Sequence, residues 1–169
     1  LFREYGIDGA VDLFHAMAYD QKAAQHSPFS LAEKAVALAK QHLPPHKCTL
    51  GVPFYGRDGK RGDWTTYEDL QKDHWDVLKD PSVDAVRHNG AAVGFNGAAT
   101  IERKTTLALE QGLGGVMIWE VGQDCRLAET SGRLTHGATV HPRTCRSDDA
   151  SLLLAISRAR AAFAATPEL

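Results

Sequence analysis

The chain has 169 residues, 43% of them hydrophobic and 24% charged, with a formal net charge of -2. That balance fits a folded α/β protein and excludes the basic excess on which nucleic-acid binding rests. No apolar run nears the roughly 18 residues of a membrane-crossing helix, so no membrane partner is expected.

The opening stretch LFREYG reads as the tail of a helix, lacks a signal-peptide pattern and does not start with methionine. The expectation is a piece of a longer protein. The first strand is AVDLFHAMAYD, residues 10–20, nearly continuously apolar as in a strand covered on both faces. After the loop HSPFS, Ser30 and Glu33 form a capping-box pattern ahead of the helix LAEKAVALAKQHL. Leu31, Ala35, Leu38 and Ala39 share one face of that helix, and Pro44 and Pro45 stop it. The second strand is CTLGVPFYGR, residues 48–57, whose Pro53 suits no central antiparallel ladder. A polar excursion follows, with Thr65 and Glu68 capping a short helix. Thr100 opens the helix IERKTTLALEQ, and Gly112 reads as its left-handed cap. The third strand is GGVMIWEV. Beyond an irregular polar stretch, ASLLLAISRARAAFA is a last helix with Leu152, Ile156, Ala159 and Phe163 in one stripe. The spacing βαβαβα predicts three parallel strands with covering helices.

Cys48 reads as a buried thiol. Cys125 and Cys145 bracket the polar stretch, and their spacing leaves a disulfide open. The eight histidines have no ligand spacing, so neither a metal nor a cofactor is implied.

In parallel α/β folds, function collects at the carboxyl ends of strands. Here those ends are Tyr19-Asp20, Tyr55-Gly56-Arg57 and Trp119-Glu120. Alternation puts Met17 with Tyr19 and Met117 with Trp119 on inward faces. The expectation is one concave site lined by Met17, Tyr19, Tyr55 and Trp119, with Asp20, Arg57 and Glu120 at its rim. Aromatic faces beside carboxylates suit a sugar, whose C–H faces stack while its hydroxyls find polar partners. His15 reads as a packed strand histidine. Trp64 and Trp75 are further aromatics able to extend a groove.

VDLFHAMAYD, LGVPFYGR and GLGGVMIWEVGQD resemble the sixth, seventh and eighth strands of glycoside hydrolase family 18, the chitinase family, over residues 10–125 and in the family's order. The resemblance implies a partial (β/α)8 barrel, its last three βα units, with residues 1–169 forming the carboxyl-terminal fragment of the catalytic barrel. It implies hydrolysis of chitin or other β-1,4-linked N-acetylglucosamine oligosaccharides by a substrate-assisted, retaining route. In that route a glutamic acid protonates the leaving oxygen and the substrate's acetamido carbonyl attacks. Tyr19 would hold the acetamido group, Asp20 would contact the same sugar, Trp119 would form the floor, and Met17, Tyr55 and Arg57 would line the site. An extracellular or secretory-pathway location is the family's expectation. The family's acidic D-x-x-D-x-D-x-E motif occurs nowhere in these residues, so the chain alone is expected to be inactive, its amino-terminal barrel half missing. A chitinase-like lectin and a non-functional half-barrel are the alternative readings.

Overall fold

A computed structural model describes residues 4–134 and 137–166 of the chain. In chain order the elements are α1 (Ile7–Ala10), β1 (Phe14–Ala16), α2 (Phe29–His42), β2 (Cys48–Pro53), β3 (Tyr55–Asp58), β4 (Trp64–Thr66), α3 (Tyr67–Asp73), α4 (Trp75–Leu78), β5 (Ala85–His88), β6 (Ala91–Gly94), α5 (Ala98–Glu110), β7 (Gly115–Trp119), β8 (Thr130–Leu134), β9 (Gly137–His141) and α6 (Leu152–Ala164). β1, β2 and β7 form a parallel sheet in that order, with Phe14 opposite Cys48 and Thr49 opposite Gly115. The excursion is a second, antiparallel sheet in the order β4-β3-β6-β5, and β8 pairs with β9 in a hairpin.

Alternation decides where the core lies. Leu50 and Val52 of β2 point to one face of the parallel sheet and are fully buried. Leu50 joins Ala32 and Val36 of α2 and Ala108 of α5, while Val52 joins Ala98 and Ile101 of α5 and Leu152, Ala155 and Ile156 of α6. All three long helices therefore cover the same face. His15, Thr49, Gly51, Met117 and Trp119 belong to the opposite face. Among the described residues the sheet does not close into a barrel, and no helix is long and apolar enough to cross a membrane.

Several expected boundaries shift, each for a local reason. The first strand keeps a ladder only where β2 offers partners, so three residues replace the eleven of 10–20. The second strand divides at Phe54. Its amide donates to the Trp119 carbonyl, closing the parallel sheet, and its carbonyl accepts from Tyr67, so Tyr55 enters the antiparallel sheet. Pro28, not Ser30, precedes the first turn of α2, and no side chain caps it. Ala32 and Val36 are the buried residues of that helix, whereas Leu38 is exposed. Thr66, one position past the expected Thr65, caps α3 by accepting from the Asp69 amide. α5 starts two residues before Thr100, because Asp84 caps its first turn with bonds from the Gly97 amide and the Thr100 hydroxyl. Gly112 adopts the expected left-handed conformation, φ 70°. In α6 Leu152, Ile156 and Ala159 are buried but Phe163 is exposed.

Cys125 and Cys145 are joined by a disulfide across 20 residues and are buried with Ala150. Beside it Asp124 accepts from the amides of Leu152 and Leu153 and the Ser151 hydroxyl, tying the end of β7 to the start of α6. Closing a loop of that length restricts the unfolded chain by about 3 kcal/mol. Replacing both cysteines with alanine should lower unfolding stability by about that amount, measured by urea titration; an unchanged midpoint would show that the disulfide does not constrain the fold.

Candidate active site

The chain leaves β1 through Met17, Ala18 and Tyr19 and turns sharply at Asp20, whose φ of 66° is left-handed. Aspartate tolerates that region better than most residues, at a small cost. Gly51 makes the approach possible: a Cβ there would lie 2.9 Å from a Tyr19 ring carbon and 2.7 Å from the Ala16 carbonyl oxygen. Tyr19 therefore lies across the uncovered face of β2, its ring edge-on to Tyr55 with centroids 6.3 Å apart. Its hydroxyl is buried without a hydrogen-bond partner among the described residues. Burial first, then the nearby Asp20 charge, raises the pKa of the Tyr19 phenol.

Asp20 is the hub. The Tyr55 hydroxyl donates to its Oδ1 at 2.6 Å, and the Arg57 Nη1 meets the same oxygen at 2.6 Å. Partial burial alone would raise the Asp20 pKa. The hydrogen bonds from Tyr55 and Arg57 and the charge of Arg57 outweigh it and hold the carboxyl below the usual carboxylate range. Asp20 is thus a fixed anion and not a poised proton donor. The Tyr55 phenol is pushed strongly upward, by burial first and then by donating to this carboxylate.

His26 completes the cluster from the loop after Asp20. It is fully buried and its ring stacks obliquely on Tyr55, 4.9 Å between centroids. The Asp20 amide donates to its Nδ1 at 3.4 Å, so Nδ1 accepts, and Nε2 must then carry the proton that goes to the Tyr55 carbonyl at 3.2 Å. Loss of solvation drives the His26 pKa down to about 4.

Above this cluster lies a groove of about 400 Å³ bounded by Asp20, Tyr55, Arg57, Trp64, Trp119 and Gln123. Trp64 and Trp119 are 64% and 55% exposed, so each offers an indole to a ligand. Trp119 ends β7, opposite Pro53; Trp64 starts β4, opposite Arg57. The structure thus gathers Asp20, Tyr55, Arg57 and Trp119, with Tyr19 beneath them. Met17 stands apart. It is 71% exposed and borders a separate apolar groove between β1 and α2, because β1 is the edge of its sheet among the described residues. Of the further aromatics, Trp64 extends the groove, while Trp75 packs on the disulfide cluster. His15 is held by Thr49, 2.6 Å from its hydroxyl. Sequence reasoning passed over His26 and Gln123. The first carries no motif and only its place six residues after Asp20; the second follows Trp119 by four residues within GQD. Among the described residues no group of three or more His, Cys, Asp or Glu side chains is arranged to hold a metal ion.

Two indoles over a locked carboxylate, guanidinium and phenol define a binding site for a polar ring with apolar faces, of the kind carbohydrate-active proteins use. Residues 5–124 match the family model for glycosyl hydrolases family 18, and the chain belongs to that family. The chain is similar to the GH18 chitinase ChiB of Flavobacterium johnsoniae, 28% identical with a TM-score of 0.63 over 89% of this chain and 43% of that one. A chitinase of Bacteroides thetaiotaomicron is 19% identical with a TM-score of 0.67, covering 96% of this chain and 49% of the other. A mutant of the Ostrinia furnacalis Group II chitinase catalytic domain 2, solved with bound penta-N-acetylchitooctaose, is 15% identical with a TM-score of 0.51 over 69% and 43%. The chain therefore has an α/β fold similar to that of chitinase barrels and spans less than half the length of these structures. No curated protein matches it.

Two outcomes follow from the cluster. Arg57→Gln should raise the Asp20 pKa, because the cation that keeps the proton off is gone; carboxyl-detected NMR titration reads this, and an unmoved titration would deny Arg57 that role. Gly51→Val should cost about 1–3 kcal/mol in unfolding stability and displace the Tyr19 ring; a variant as stable as the parent, with unshifted Tyr19 resonances, would contradict the close approach.

Proposed function

We propose that residues 1–169 are the carboxyl-terminal, substrate-holding part of a glycosidase catalytic domain. It would supply the sixth to eighth βα units of a (β/α)8 barrel that cleaves β-1,4-linked N-acetylglucosamine polymers. The observation that carries the reading is the Asp20–Tyr55–Arg57 cluster beneath the indoles of Trp64 and Trp119. Three features support the barrel. Strands adjacent in sequence are adjacent in the parallel sheet, as single winding requires. The long helices cover one face only. The other face leaves Trp119 exposed, and Met17 is exposed at the β1 edge, where further barrel strands would enclose them. The family membership and the oligosaccharide bound to the Ostrinia furnacalis domain point to chitin-type substrates.

In this reading the pyranose faces stack on Trp119 and Trp64. Tyr19 and Asp20 orient the acetamido group, whose carbonyl oxygen attacks the anomeric carbon with retention. The Tyr19 hydroxyl is buried and has no hydrogen-bond partner among the described residues; an acceptor oxygen brought to it relieves the desolvation cost, about 1–3 kcal/mol, of leaving that bond unmade. Asp20, held as an anion, favours the positive oxazolinium that develops beside it. The proton donor is not among these residues, since the acidic motif of the resemblance is absent from the chain and Asp20 is locked ionised. It would come from an amino-terminal half, and the chain alone would bind without cleaving. The buried disulfide favours an oxidising compartment, in keeping with an extracellular or secretory-pathway location.

Titration calorimetry with N-acetylchitopentaose tests the reading. The chain should bind it, Trp119→Ala should weaken binding about tenfold or more through lost stacking, and no reducing ends should be released. In the polypeptide that joins this chain to its preceding strands, hydrolysis should appear, and Tyr19→Phe should lower kcat more than it raises KM. Absence of both binding and hydrolysis in the joined polypeptide would overturn the proposal, and an unchanged kcat would remove Tyr19 from the chemistry.

A further inference from the structure

We infer that His26 is a positioning residue for the groove: as a neutral imidazole protonated at Nε2 it fixes Asp20 and Tyr55 in place, and a proton on its second nitrogen breaks its hold on the Asp20 backbone. The role in ligand binding rests on the sugar reading above; the positioning itself does not.

The starting observation is the left-handed backbone at Asp20, φ 66°. A strained residue persists only where its surroundings over-determine it, and strain of this kind gathers at functional sites. What determines it is the buried imidazole. Its Nδ1 accepts the Asp20 amide and its Nε2 donates to the Tyr55 carbonyl. Its own backbone carbonyl accepts the Gln21 amide at 3.0 Å, which closes the turn. One side chain thereby sets the backbones at both ends of the Tyr55–Asp20 hydrogen bond, Asp20 beyond the edge strand of the parallel sheet and Tyr55 at the start of β3 in the antiparallel sheet. The loop that presents His26 is held as firmly. Lys104, fully buried on α5, donates to the Ser27 carbonyl at 2.6 Å, the Ser27 hydroxyl at 2.8 Å and Asn96 Oδ1 at 2.7 Å. The Ser27 hydroxyl donates to the Ala18 carbonyl at 2.6 Å, one residue before Tyr19.

The charged and titratable groups that face His26 are Asp20, Tyr55, Arg57 and Lys104. Burial, the largest effect, and the cations Lys104 and Arg57 disfavour the imidazolium; the Tyr55 carbonyl bond and the Asp20 carboxylate, 3.7 Å from Nδ1, favour it. The balance leaves the ring neutral above about pH 4. A proton on Nδ1 confronts the Asp20 amide with a second donor, so that bond is lost. The sign is fixed by linkage. Between the ordinary histidine value near 6.5 and about 4, the unfolded chain binds a proton that the folded chain refuses. Stability therefore falls as the pH drops through that window.

NMR on the whole chain tests the positioning without a ligand. At pH 7 the ring should show the Nε2–H tautomer. It should titrate with a midpoint of about 4, and the Asp20 amide resonance should move with the same midpoint. An Nδ1–H tautomer, or titration near 6.5 with a stationary Asp20 amide, overturns the inference. Binding of N-acetylchitopentaose then tests the consequence. His26→Phe keeps a flat ring without either bond and should bind about tenfold more weakly. His26→Asn keeps an acceptor at the Nδ1 position and should recover most of the affinity. If His26→Phe fails to unfold cooperatively, His26→Asn and the spectra decide. Equal affinity in wild type and His26→Phe overturns the role in binding. If wild type itself does not bind, the sugar reading fails, and the tautomer and coupled titration alone support or overturn the positioning role.

Discussion

Everything at the groove depends on a parallel sheet whose long helices cover one face only. Leu50 and Val52 turn toward the helices and are fully buried. Because side chains alternate along a strand, their neighbours Thr49, Gly51 and Pro53 must face the other way, and so must Met117 and Trp119, which pair with Gly51 and Pro53. The burial that drives folding therefore also selects which residues face away from the helices; of these Trp119 stays exposed, while Thr49 is buried. Gly51 shows how closely the two are joined, since its missing side chain is the space that Tyr19 occupies.

The site spans two sheets. Trp119 belongs to the parallel sheet, while Tyr55, Arg57 and Trp64 belong to the antiparallel one. The junction is one residue, Phe54, fully buried and bonded through its amide to Trp119 and through its carbonyl to Tyr67. A single pivot does not fix the distance between two indoles. The second attachment is the loop after Asp20. Gln25 reaches the carbonyls of Asp84 and Phe95, His26 reaches Tyr55, and Ser27 is gripped by Lys104 and Asn96. Burying a lysine is costly, and loss of solvation lowers the Lys104 pKa to about 7. Three acceptors compensate and leave it one geometry. Polar burial of this kind adds little net stability but specifies a single arrangement.

Much of this was legible in the sequence. Three parallel strands, their helices, the left-handed Gly112 and the meeting of Tyr19, Asp20, Tyr55, Arg57 and Trp119 follow from alternation and from the rule that strand ends carry function. What escaped depends on contacts distant in sequence. The division of the second strand at Phe54 requires knowing that Trp119 and Tyr67 take its backbone bonds. The cap of α5 comes from Asp84, thirteen residues before Gly97. His26 has no local signature, because its importance lies in where its two nitrogens point. Met17 went astray for a different reason: alternation placed it with Tyr19, but the strand ends at Ala16, and among the described residues no strand pairs with that edge.

The charge pattern of the cluster separates two jobs that a carboxylate can do. A general acid needs a raised pKa, which burial without a cation provides. Asp20 has the opposite environment, half exposed and bonded to Arg57 and Tyr55 on one oxygen. The same two donors leave Oδ2 without a bond to either, so Asp20 can accept from a sugar hydroxyl or amide while keeping its charge. An anion held in this way stabilises positive charge and orients a neighbour, but it has no proton to give. The environment of Asp20 therefore makes it a fixed anion and not a titrating acid.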